Sequence, residues 1–123
     1  MRLTLLDGRL AVCRLDPDEP VPDWAWRGPV ASVTRVPTEL SVVCAEDAPP
    51  DGVLAERGWR AYQVEGPMPF TLTGVVSGLT APLAAAGIGV FVLSTYDTDY
   101  LLVKDADLAA ATAALRAAGH DVQ

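Results

Sequence analysis

Short runs of apolar and β-branched residues, interrupted by Gly and Pro, recur along this chain. Residues 3–6 and 9–15 flank Asp7-Gly8. A DG pair between apolar runs predicts a hairpin, because both central residues of a type I′ turn need positive φ. Residues 16–27 read DPDEPVPDWAWR, and Pro17, Pro20 and Pro22 leave room for one helical turn at most, capped by Asp23. Residues 29–36 and 39–44 form two further strands around Pro37-Thr38. In the first, Val30, Ser32, Thr34 and Val36 share one face, and Ala31, Val33 and Arg35 the other. Residues 45–52 are an acidic, Pro-rich loop. Pro50-Asp51 then opens a short helix to Glu56, which Gly58 ends, and residues 59–65 alternate as a strand.

The second half has the stronger pattern. Residues 66–69, GPMP, are a connector and a natural seam. A strand over 70–75 is followed by a helix over 77–86, with Leu79, Leu83 and Ala86 on one face and Pro82 near the first turn. Gly87 stops it in the left-handed conformation. Residues 88–94 are a nearly all-apolar strand, expected to be buried on both faces or to meet another subunit. A turn at 96–99 joins it to a strand over 100–104. Asp105 or Asp107 caps a closing helix over 108–118, and residues 120–122 end as a strand. This β-α-β-β-α-β order is the ferredoxin-like unit. The first half reads the same way at an offset of 60, which lays residues 38–43 over 98–103, and Leu10 and Val12 over Phe70 and Leu72. The expectation is an α+β protein of two ferredoxin-like βαββαβ units, residues 1–65 and 66–123.

Length and composition agree with this. A chain of 123 residues, 50% apolar and 20% charged, is globular rather than disordered. The net charge is −7 with no basic patch in either half, which excludes the footprint of nucleic-acid binding and disfavours anionic membranes. The opening MRLTLLDGRL is broken by Asp7-Gly8 and does not read as a signal peptide. No apolar run reaches the ~18 residues of a membrane span, so the expected compartment is the cytoplasm. Cys13 and Cys44 lie far apart without a CxxC motif. Buried reduced thiols are the expectation, with a disulfide left open. Trp24, Trp26 and Trp59 serve either a dimer interface or an intramolecular core.

Catalytic patterns are missing. The lone His120 reads as a surface or strand-edge residue. Ser77 has Val75 where a nucleophile elbow needs Gly, and Gly74-x-x-x-Gly78 lacks the Lys-Ser/Thr of a phosphate loop. No metal or cofactor is called for. A binding reading survives better. The turn at residues 72–77 leads from a strand into a helix, whose free N–H groups suit a carboxylate. Gly74 and Gly78 let a ligand approach the backbone. Asp97 and Asp99 can pair with an ammonium or guanidinium, so the two sets together match an α-amino acid. Turn-forming and hairpin-forming roles account for the same residues equally well.

At these residues the chain resembles the ACT family. Thr71-Leu72-Thr73-Gly74-Val75-Val76, Leu83-Ala84-Ala85-Ala86-Gly87-Ile88-Gly89-Val90, Leu93-Ser94-Thr95 and Leu101-Leu102-Val103 are similar to the regulatory domains of aspartate kinases. They are closer still to the ACT-like halves of CASTOR-type amino-acid sensors and their stand-alone bacterial relatives. The most specific match is Ser94-Thr95-Tyr96-Asp97-Thr98-Asp99-Tyr100, and Thr38-Glu39-Leu40-Ser41-Val42-Val43-Cys44 resembles its counterpart in the first half. The resemblance implies a non-catalytic tandem-ACT protein that binds an amino acid at an ACT–ACT interface, as a sensor or regulator. The contacts it implies are Gly74, Val75, Ser77, Gly87, Ile88, Thr95, Tyr96, Asp97, Thr98 and Asp99. The Pro-rich residues 17–22 depart from the pattern and place the ligand in the second half. The apolar run 88–93 and the Trp residues point to a homodimer. The alternative function is a protein–protein interaction module without a small-molecule ligand.

Overall fold

The structure, a computed structural model, describes residues 1–69 and 73–123. Its elements in chain order are β1 (Arg2–Leu5), β2 (Leu10–Leu15), a 3₁₀ turn (Asp23–Trp26), β3 (Ser32–Val36), β4 (Glu39–Ala45) and β5 (Leu54–Val64). Then come α1 (Val75–Ala85), β6 (Phe91–Ser94), β7 (Asp99–Lys104), a second 3₁₀ turn (Asp105–Asp107), α2 (Leu108–Ala117) and β8 (Asp121–Val122). The class is α+β. Two compact units form, one discontinuous (Met1–Leu6 with Arg60–Gln123) and one inserted into it (Asp7–Trp59). β5 contributes to both. No helix among the described residues is long and apolar enough to cross a membrane.

In the discontinuous unit the strand order is β8-β1-β5-β7-β6. β1 lies antiparallel to β5, with Leu3 opposite Val64, and parallel to β8, with Leu3 opposite Val122. Both hydrogen-bonding edges of β1 are therefore taken, and the hairpin expected across Asp7-Gly8 does not form. Gly8 still turns the chain at φ +89°. One apolar cluster joins the sheet to both helices through Leu3, Tyr62 and Val64, Leu101 and Val103, Leu79 and Leu83, and Ala111 and Leu115. The helical pairs are four residues apart and the strand pairs two apart, so each of these elements turns one face toward this cluster, and Leu102 of β7 is buried on the other face. Full burial of each such leucine contributes about 1.5–3 kcal/mol.

α1 begins at Val75, two residues before the expected start, with Gly74 at its N-cap position (φ +78°). Of the strand expected over 70–75, residues 70–72 lie outside the described residues and Val75 belongs to the helix. Pro82 consequently falls in the helix interior. Proline has no N–H, so the carbonyl of Gly78, four residues back, loses its helical donor. His120 supplies the missing bond, with its Nε2 3.0 Å from that oxygen. A carbonyl can only accept, so this nitrogen carries the proton. The histidine expected as a surface or strand-edge residue thus splints α1. His120→Ala is expected to lower the unfolding free energy by about 1 kcal/mol. An unchanged urea midpoint would show that water replaces the bond.

Neither carboxylate expected to cap α2 makes a capping bond. Asp105 accepts from Arg60 Nη1 at 3.3 Å, and Asp107 holds the N-cap position without a side-chain bond to the helix.

The inserted unit orders its strands β3-β4-β2-β5, all antiparallel. The helix expected over residues 50–56 is absent. Gly52 turns at φ +93°, and Leu54, Ala55 and Glu56 pair instead with Arg14, Cys13 and Val12. Gly58 does not end a helix. It sits where the pairing with β2 slips register between Leu10 and Val12, at φ +81°, and its N–H donates to Glu46 Oε2 at 2.8 Å. The unit carries only its 3₁₀ turn, where Asp23 lies inside the first turn and makes no capping bond. Cross-strand pairs Ala11–Cys44, Cys13–Val42 and Leu15–Leu40 line one apolar face with Ala25 and Ala48. Cys13 and Cys44 are free and buried there. Burial, with Cys13 alongside, pushes the Cys44 thiol up to about 12, and burial also raises Cys13. Both stay protonated and unreactive at neutral pH. Trp24 packs on this core, whereas Trp26 is 60% exposed.

Candidate functional site

The hairpins β3–β4 and β6–β7 stand at corresponding places of the two units, as the offset of 60 implies. They differ in their turns. Ser94 and Asp99 face each other as the last pair of β6–β7, so Thr95-Tyr96-Asp97-Thr98 forms a four-residue loop. Within it, Thr95 N donates to Thr98 O at 2.8 Å, and Thr98 N donates to Thr95 Oγ1 at 3.3 Å. Ser94 Oγ donates to Asp99 Oδ1 at 2.6 Å. Three features fix the loop to the end of β5 and the segment that follows it. The Thr98 hydroxyl donates to the Val64 carbonyl. Met68 N donates to Asp97 O at 2.8 Å. A Cβ on Gly66 would stand 2.8 Å from that same Asp97 oxygen, so this close approach requires glycine.

Facing the loop is the N-terminal turn of α1. Its first internal donor is Gly78 N, bonded to Gly74 O at 2.9 Å, so the N–H groups of Val75, Val76 and Ser77 have no helical acceptor. No side chain among the described residues caps the helix at its N-cap position. These N–H groups carry the positive end of the helix dipole.

Between the two lies a cleft of about 330 Å³, lined by residues 68–69, 74–77 and 94–99. That volume falls at the small end of ligand sites. The charged residues on its walls are Asp97, which is exposed, and Asp99, which is 8% exposed. No Lys, Arg or His among the described residues lines it. The cleft thus offers N–H donors on one side and carboxylates on the other. No group of three or more His, Cys, Asp or Glu able to hold a metal occurs among the described residues.

Of the residues singled out in the sequence, Gly74, Val75, Ser77, Thr95, Tyr96, Asp97, Thr98 and Asp99 line this cleft. Gly87 and Ile88 do not. They stand past the other end of the 11-residue α1, about 16 Å along its axis. Gly87 takes φ +73°, and Ile88 is buried in the core. The thiols of Cys13 and Cys44 belong to the inserted unit. Met68, Pro69, Val76 and Ser94 also line the cleft and were not singled out. Ser94 could have been found from the hairpin register, since the residue opposite Asp99 must share its environment.

Comparison with known proteins locates the chain further. The family model described as ACT domain matches residues 54–117. A second model, that of an N-terminal domain, matches residues 8–51. Over 88 residues the chain is 32% identical to a bovine protein, cytosolic arginine sensor for mTORC1 subunit 1, covering 63% of this chain and 27% of that protein. A crystal structure from Agrobacterium tumefaciens is similar over 99% of this chain and 91% of its own, at TM-score 0.94 and 40% identity. The regulatory subunit of aspartate kinase from Thermus thermophilus shares the fold at TM-score 0.64 and 12% identity, over 95% of this chain and 96% of that one.

Proposed function

The chain belongs to the ACT domain family, and from that footing we propose that it is a non-catalytic regulator whose cleft binds a cationic α-amino acid. One observation carries the reading: uncapped N–H groups of α1 and the carboxylates of Asp97 and Asp99 line the same cleft, with no basic side chain among them. An α-carboxylate is served by the helix N-terminus. A guanidinium or ammonium is served by Asp97, whose exposed side chain shares the cleft walls with no Lys, Arg or His among the described residues. The bovine relative is by name an arginine sensor, which makes arginine the first ligand to test.

In a thermal melt, arginine at 100 times its dissociation constant is expected to stabilise the protein by about 2.7 kcal/mol. Lysine should act at higher concentration. Aspartate, whose side chain meets the two carboxylates, should leave the melt unchanged. A shift with aspartate and none with arginine overturns the charge argument. On the same reading the protein works in the cytoplasm as a homodimer of two-unit chains. The half-buried apolar residues of β6 motivate the dimer, and light scattering against the 13.0 kDa chain mass tests it.

An interaction module that binds another protein and no small molecule is the second reading. It draws on the apolar rim of the cleft, where Tyr96 is 79% and Val76 40% exposed. A melt that none of the twenty amino acids moves would favour it.

A further inference from the structure

We propose that Thr98, at the wall of the cleft, is a positioning residue, which sets charge selectivity by fixing the backbone of the loop that carries Asp97 rather than by meeting the ligand's cation. This rests on the reading of the cleft as a cationic amino-acid site. Thr98 is 7% exposed, and its hydroxyl is turned inward onto the carbonyl of Val64. Val64 itself is fully buried in the core of the discontinuous unit. The bond therefore ties the loop tip to the buried end of β5. Asp97 is the next residue back, exposed, and its own carbonyl is held by Met68 N at 2.8 Å. The two bonds bracket the Asp97–Thr98 peptide from one segment, residues 64–68.

An exposed aspartate on an unsupported loop samples many positions, and ordering it on binding costs affinity. A binding group is effective when its neighbours hold it to within about 0.5 Å. Threonine suits the task, since its branched Cβ restricts χ1 and keeps the hydroxyl aimed. Removing the hydroxyl leaves the Val64 carbonyl without this donor and loosens the loop tip, which the Met68–Asp97 bond alone then ties to residues 64–68. The loss falls on the ligand group that Asp97 serves, the cationic side chain, and spares the α-carboxylate at α1.

The test compares arginine with citrulline, its neutral isostere, by titration calorimetry on the full chain. Thr98→Val is expected to weaken arginine about tenfold while citrulline changes by less than about twofold, so the preference for charge collapses. Thr98→Ser, which keeps the hydroxyl, should restore arginine to within about threefold of the natural protein. In an Asp97→Asn background, Thr98→Val should cause no further loss, because the group it positions is gone. Equal weakening of both ligands by Thr98→Val would overturn the proposal and leave the cationic-site reading standing. Failure of the unaltered protein to bind either ligand would overturn both. If the valine variant does not fold, Thr98→Ala is read in the same way.

Discussion

Gly28→Ala is expected to lower the unfolding free energy by about 3 kcal/mol or more. Gly28 takes φ +118°, a conformation that side chains rarely adopt. A Cβ there would also lie 2.6 Å from the backbone nitrogen of Ala45 and 3.1 Å from its Cα. That nitrogen cannot retreat freely, because it donates to Arg27 O at 2.8 Å. Strain and collision therefore add, and relief requires breaking a bond that holds the end of β4. Gly8→Ala separates the two terms. Gly8 also has positive φ, +89°, but a Cβ there meets nothing within 4 Å. Strain alone should cost about 1–2 kcal/mol. Urea titrations of the two variants measure the difference. Equal losses would mean that the chain around Ala45 yields to the new methyl.

Asp97→Asn is expected to weaken arginine binding about 10- to 100-fold, the 1.5–3 kcal/mol of a hydrogen bond to a charged group. The fold should barely respond. Asp97 is exposed, and an exposed polar substitution of this kind usually stays within about 0.5 kcal/mol. Asp99 provides the contrast. It is buried and accepts from Ser94 Oγ at 2.6 Å, so Asp99→Asn should lower the melting temperature as well as the affinity. Calorimetry and a melt on each variant separate the roles. If Asp97→Asn binds arginine as the natural protein does, the cation is received elsewhere.

Local signals account for what could be read in the sequence. The short apolar, β-branched runs at residues 39–44 and 100–104 marked β4 and β7, because such a run needs only neighbouring residues to be seen. The cleft was legible for a related reason. Gly74 and the Thr95–Asp99 stretch are turn chemistry, and turns are local. Distant partners decided the rest. Pro50-Asp51 is a sound helix-start signal, yet β2 offers Leu54–Glu56 a ladder that a short helix could not match. Asp7-Gly8 is a sound hairpin signal, but β5 and β8 occupy β1 on both sides. Val75 and Val76 favour strands by side chain, and only the tertiary setting of Leu79 and Leu83 shows that the helix has begun. Gly87 flanks α1 as Gly74 does. Sequence carries no mark of which end of the helix the Asp97 loop faces.

The insertion of residues 7–59 between β1 and its neighbours has a consequence during synthesis. The inserted unit is complete once Trp59 has emerged from the ribosome, and it can fold at once. β1 is by then still unpaired, because the Tyr62–Val64 stretch of β5 that it meets has not emerged and β8 is untranslated. A ribosome stalled before Asp121 would therefore present one finished unit beside a strand with an open edge, the kind of surface that recruits chaperones or other nascent chains.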